Sequence, residues 1–137
     1  MSIRLFYDLS MTAKVPLQDN LIIDKTFQFA ISILKFSQDL QNERHFVLSN
    51  QLLRSGTSIG ANTREAQNAE SKADFIHKFK IAAKEADETE YWLLLCNEIS
   101  NKELVQALLN DLKIIQKIIT KIIATTKNQL TNKLINK

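Results

Sequence analysis

The chain has 137 residues, enough for one domain with a sizeable core, and 45% of them are apolar against 24% charged. Two Gly and one Pro leave little room for the many turns a β-rich fold needs, so long helices with short connections are expected. The net charge of +3 is only mildly basic, no apolar run approaches the roughly 18 residues of a membrane span, and a lone Cys96 excludes an internal disulfide.

Residues 1–19 show no helical period and no continuous apolar stretch of the kind a signal peptide carries. They read as an arm ended by Pro16. With the single cysteine, this points to a reducing cytoplasm. A first helix is expected from Asn20, as N-cap, to about Gln41. It carries two apolar stripes, Ile23, Phe27, Ala30 and Leu34 beside Ile22, Phe29, Ile33, Phe36 and Leu40. That arc is wider than one neighbouring helix covers. A loop over 42–48 leads to a second helix with Ser49 as N-cap and a Leu48–Leu53 staple, running to about Ala69. Gly56 and Gly60 lie inside it, each costing roughly 1 kcal/mol relative to Ala, and close approach of a neighbouring backbone would offset that.

Ser71, with Asp74 three residues on, restarts the helix as a shortened capping box. The third helix runs to about Ser100 with a core stripe of Phe75, Phe79, Ala82, Ala86, Leu93 and Cys96. A second stripe holds Ile81, Glu85, Glu88, Trp92, Leu95 and Ile99. The fourth starts near Asn101 and reaches at least Thr125. Leu108, Leu112, Ile115, Ile119 and Ile122 repeat at 4-3-4-3 spacing, a coiled-coil-like seam widened by Val105, Leu109, Ile114, Ile118 and Ile123. Short connections between four long helices imply antiparallel neighbours. The expected fold is therefore an all-α, up-down-up-down four-helix bundle over 20–125, with a polar tail over 126–137 that frays.

The second helix places Arg54, Ser58, Asn62 and Glu65 on one face, with Gly56, Gly60 and Ala61 beside them. If it pairs antiparallel with the third helix about Glu70–Ser71, Arg54 comes within reach of Glu85 or Glu88. Ser58 then faces Ala82, Asn62 faces Lys78, and Glu65 has Lys72 and Lys78 in range. A partly buried, charge-paired layer that fixes helix register is favoured over a ligand groove, since charges near a core are normally paired.

Charge is unevenly spread. Residues 47–100 carry six basic and eight acidic side chains, whereas 101–137 carry seven Lys against Glu103 and Asp111. Lys113, Lys117 and Lys121 share the outer face of the fourth helix and are the candidate contacts for nucleic-acid phosphates, set against the plainer reading of a solvated face. Catalytic signals are lacking. His45 and His77 have no metal-ligand spacing, and Asp74 with His77 reads as a surface ion pair. Cys96 ends an apolar stripe as a core thiol. Glu85 and Glu88 have no Glu-x-x-His partner, which argues against a di-iron site. No metal, cofactor or small-molecule substrate is expected, and the chain reads as non-enzymatic.

The stretch LLRSGTSIGANTREAQNAESKADFIHKFKIAAKEADETEYWLLL resembles the bacterial proteins encoded in intervening sequences of 23S ribosomal RNA genes, also labelled the S23 family. Arg54, Ser58, Asn62 and Glu65 match its second helix; Phe75, Ile81, Ala82, Glu88 and Tyr91 match its third. The resemblance covers roughly residues 20–122. It implies an antiparallel four-helix bundle without enzymatic activity, assembled as a homopentameric ring. A related branch, the accessory proteins of diversity-generating retroelements, contacts nucleic acid and a reverse transcriptase through a basic surface. The expectation is thus an oligomer with RNA as candidate partner. The alternative is a homo-oligomeric protein-interaction scaffold with no nucleic-acid role.

Overall fold

The computed structural model describes residues 17–136 as four helices: α1 (Leu17–Asn42), α2 (Phe46–Ala66), α3 (Lys72–Ile99) and α4 (Lys102–Ile135). The arm expected over 1–19 lies outside the described residues except for its last three, which open α1. Each helix packs on its neighbour in sequence, and α1 closes on α4. The residues that meet give the direction. Thr26 touches Thr63 and Ser37 touches Ser49 across α1–α2. Arg54 meets Glu88 and Glu65 meets Lys78 across α2–α3. Asp87 meets Gln116 and Lys72 meets Gln129 across α3–α4. One clef between α1 and α4 joins Asp24 and Ser32 to Asp111 and Ile115, and a second joins Asp39 and Asn42 to Asn101 and Leu104. At every junction one number falls as the other rises, so adjacent helices run antiparallel.

The core follows helical spacing. Ile22, Phe29, Ile33, Phe36 and Leu40 of α1 are buried, as are Phe79, Ala82, Ala86, Leu93 and Cys96 of α3. The α4 seam of Val105, Leu108, Leu112, Ile115, Ile119 and Ile122 is buried throughout. Each large apolar side chain so removed from water contributes about 1.5–3 kcal/mol. The other α1 stripe has a different fate: Phe27 and Leu34 remain exposed.

Four helix ends differ from the sequence reading, at both ends of α2, at the end of α4 and at the start of α1, which opens at Leu17 so that Asn20 is not its N-cap. α1 ends in a Schellman arrangement: the amide of His45 donates to the Leu40 carbonyl (2.8 Å) and that of Arg44 to the Gln41 carbonyl (2.9 Å). Arg44 takes the left-handed conformation there, φ 67°, a place where glycine is the usual residue. This tight turn lets α2 begin at Phe46, with His45 as N-cap and no side-chain cap bond. Ser49 is therefore not a cap. It lies buried in the first turn of α2, and its hydroxyl donates 2.8 Å to the Ser37 carbonyl of α1. α2 also stops at Ala66 rather than Ala69. At α3, Ser71 caps as expected, accepting from the Asp74 amide at 3.0 Å while Asp74 accepts from the Glu70 amide. Asn101 caps α4 through the Leu104 amide.

α4 continues ten residues beyond Thr125, where the sequence suggested fraying. Thr126 takes the next core position after Ile122 and is buried, its hydroxyl donating to the Ile122 carbonyl at 2.8 Å. Lys72 also reaches Gln129, at 3.2 Å. From Thr131 to Asn136 every residue is exposed, so the last turns project past the bundle.

Candidate functional site

α2 sits between α1 and α3, and its two flanks have different chemistry. Arg54 lies on the α3 flank, its guanidinium reaching Glu85 at 3.5 Å and Glu88 at closer range. Glu65 pairs with Lys78 at 3.5 Å one end further on. Ser58 donates to the Arg54 carbonyl (2.6 Å), and Asn62 donates to the Ser58 carbonyl (2.9 Å). Those two side chains thus serve their own helix rather than crossing to α3. Arg54 is 51% exposed, with Glu85 at 23% and Glu88 at 39%. The layer is consequently shallow: Glu85 and Glu88 are half-buried, while Arg54 is exposed at its rim. Solvent screening reduces its worth, so Arg54→Ala should cost about 0.5–1 kcal/mol in urea unfolding rather than the several expected of a buried pair. A loss above 2 kcal/mol would contradict that placement.

The buried polar groups lie elsewhere, on the face of α2 directed at the core. Thr26 and Thr63 hydroxyls meet at 3.3 Å across α1–α2. Thr89 has two acceptors in reach, the Glu85 carbonyl at 2.7 Å and Ser55 Oγ at 2.9 Å across α2–α3. With Ser49, these hydroxyls tie α2 to both neighbours. The buried stripe Ser49, Leu52, Ser55, Gly56, Ile59, Thr63 and Ala66 has only two large side chains. Small residues at helical spacing let backbones approach closely. That spacing was the readable signal, and it was masked by the more conspicuous charged stripe beside it. Both glycines face α1, away from the charged flank. A Cβ on Gly56 would stand 2.9 Å from Ile33 Cγ2, and one on Gly60 would stand 3.3 Å from Thr26 Oγ1. Close approach is thus the reason for both, through the Ile33 side chain at one and Thr26 at the other.

Lys113, Lys117 and Lys121 are exposed on α4, and none has a hydrogen bond or ion pair among the described residues. They climb the helix in steps of about 6 Å. Asp74 and His77 do not pair: the Asp74 carboxylate is used at the Glu70 amide, 3.2 Å away. His45 approaches Glu43 at 3.8 Å on the surface. Cys96 is fully buried, and burial pushes its thiol from 9.0 up to about 11, so it stays protonated at neutral pH. Among the described residues no three His, Cys, Asp or Glu side chains are grouped to hold a metal ion. No helix there is long and apolar enough to cross a membrane.

Exposed apolar side chains form the other distinctive surface. Phe27 and Leu34 line the outside of the α1–α2 junction, where the Arg64 guanidinium sits 5.7 Å over the Phe27 ring. Tyr91, Leu94, Leu95 and Ile99 are exposed on α3. The apolar spacing of the sequence shows a surplus on α1 and puts Leu95 and Ile99 on the second stripe of α3, but it does not mark Tyr91 and Leu94 as exposed. Trp92 is half-buried, edge-on to Tyr91 at 5.1 Å, and its buried indole N–H has no partner among the described residues.

These features define an all-α, antiparallel four-helix bundle with a small, hydroxyl-rich second helix. The family model described as 23S rRNA-intervening sequence protein matches residues 18–121, and the chain belongs to that family. It is similar to a solved protein of unknown function from the S23 ribosomal protein family of Bacteroides thetaiotaomicron. The two are 49% identical, the match covers 79% of this chain and 99% of that one, and the TM-score is 0.76. No curated protein matches the chain. Neither family description names an enzymatic activity. The matched region ends at residue 121, whereas α4 runs on to Ile135.

Proposed function

We propose that this chain is a non-enzymatic, cytoplasmic bundle that works as a homo-oligomer, with a homopentamer the specific expectation raised by its family resemblance. The observation that carries this is the exposed apolar surface: Leu34, Phe46, Tyr91 and Leu94 are each more than half exposed. Clustered apolar surface of this kind marks interfaces in soluble proteins. Light scattering at micromolar concentration should give a multiple of the 15.7 kDa chain, about fivefold for the pentamer. A mass of one chain at every concentration would end this reading.

A second reading, RNA contact, is favoured by one observation: Lys113, Lys117 and Lys121 are exposed and without carboxylate partners among the described residues. One triplet binds weakly, but repetition around an oligomer adds avidity. Nothing in the triplet reads base edges, so binding should tolerate sequence changes. Replacing all three with Gln should reduce the slope of log affinity against log salt by about 2 per engaged subunit on single-stranded RNA, with helicity unchanged. If the native protein retains no RNA at low salt, the scaffold without a nucleic-acid role takes its place.

A further inference from the structure

The seam between α1 and α4 is incompletely filled. It holds two clefts, of about 180 and 240 Å³, lined by core side chains: Phe29 and Ile115 in one, Phe36 in the other. Apolar side chains stand exposed along its rim, Leu104 and Ile114 on α4 and Leu21 on α1, one turn before Lys25. The rim is also acidic. Asp24, Asp39, Glu43 and Asp111 line the clefts against one cation, Lys25. His45 approaches Glu43, whereas Asp24, Asp39 and Asp111 have no ion pair among the described residues.

The residues that precede α1 carry the complementary pattern. Every odd position from Ile3 to Val15 is apolar, and every even position from Arg4 to Lys14 except Phe6 is polar. Strict alternation gives an extended chain one apolar face. Its charged side chains, Arg4, Asp8 and Lys14, sum to +1. The segment lies before the family's matched region, which starts at residue 18. It joins the bundle at Leu17, at one end of the α1–α4 seam.

We infer that residues 3–15 turn back at Pro16 and lie in the α1–α4 groove of their own chain, antiparallel to α1, apolar face toward the clefts. This docking is independent of the self-association reading. Length and charge both fit it. Asp39 stands 22 residues along α1 from Leu17, about 33 Å at the helical rise. The ten extended steps from Lys14 back to Arg4 span about the same distance, which brings Arg4 level with Asp39. Two cations thereby reach a groove whose carboxylates outnumber its bases, and apolar side chains meet apolar clefts. Attachment to α1 holds the segment beside the groove at high effective concentration, an advantage no separate partner has. On the outside of the bundle its amides stay in water, so they need no strand partner.

Chymotrypsin tests this on the full chain, because Phe6 and Tyr7 lie within the segment. A free peptide of residues 1–16 sets the reference rate, and mass spectrometry identifies the cuts. The native chain should be cut after Phe6 and Tyr7 at least about tenfold more slowly than the peptide, since cleavage follows the undocked population. Ile114→Glu, at a position 45% exposed, should remove most of that protection with helicity unchanged. If it loses helicity, Ile114→Gln serves the same comparison. Arg4→Glu should also weaken protection, and Asp39→Lys added to it should restore it. A native chain cut as fast as the peptide would overturn the docking. Protection that survives the Ile114 variants would overturn the choice of groove. Protection lost on dilution would assign the groove to a second copy and overturn docking within the chain. A charge swap that restores nothing would overturn the antiparallel course.

Discussion

Phe79→Ala should lower the unfolding free energy by about 3–5 kcal/mol, at the upper end of single core substitutions. The ring is fully buried and packs tilted against Phe75 at 4.8 Å between centroids. Its buried neighbours along α3 are Ile76 on one side and Ala82 and Ala86 on the other. Alanines have no side-chain freedom with which to fill a void, and the α2 stripe facing the core is made largely of small residues. The cavity should therefore persist rather than collapse, and the cost rises with the cavity that remains. Urea titration at fixed protein concentration should show a lower midpoint with an unchanged slope. Phe75→Ala, at a half-buried position, should lose distinctly less. A loss below about 1.5 kcal/mol for Phe79→Ala would mean that the bundle closes around the gap.

The contrast between Phe79 and the polar stripe shows which parts of this fold are legible in a sequence. Apolar residues at three-and-four spacing report directly on burial, because a helix has one inside. Hence the α4 seam from Val105 to Ile122 and the Ile22-to-Leu40 stripe of α1 both lie in the core. The antiparallel register of α2 and α3 was also readable, from the short turn, and it brings Arg54 to Glu85 and Glu88. How deep that group would lie was not readable. Depth depends on how closely two helices approach, and periodicity says nothing of that distance. Ser49 misled for a related reason. A serine ahead of an apolar run is a good cap, but the same hydroxyl can satisfy a neighbouring helix, as it does at the Ser37 carbonyl. The α1–α2 turn was equally hidden, since it uses Arg44 in a conformation normally signalled by glycine. The two glycines the chain does have were needed where helices touch.

That use of glycine leads to a sharp prediction for Gly56. Gly56→Val should destabilise by about 3 kcal/mol, because its first added carbon would meet Ile33 Cγ2 at 2.9 Å and Cγ1 at 3.0 Å. Ile33 cannot yield easily. It is fully buried, and a β-branched side chain on a helix is held to essentially one χ1 rotamer. The gain in helix propensity on leaving glycine is a few tenths of a kcal/mol for valine, too small to offset the overlap. Gly60→Ala gives the opposite balance. Its Cβ would meet Thr26 Oγ1 at 3.3 Å and backbone carbon at 3.5 Å, a tight contact that a shift of a few tenths of an ångström relieves. There the propensity gain of about 1 kcal/mol competes on equal terms, and stability should change by less than about 1 kcal/mol. The cause at Gly56 can be isolated with Ile33→Ala, which alone should cost about 2–5 kcal/mol through the cavity it leaves. Combined, the two substitutions should cost about 1–2 kcal/mol less than their sum, because the valine occupies space that Ile33 vacates. Additive losses, or a Gly56→Val variant as stable as Gly60→Ala, would show that α1 and α2 are not held together at this point of contact.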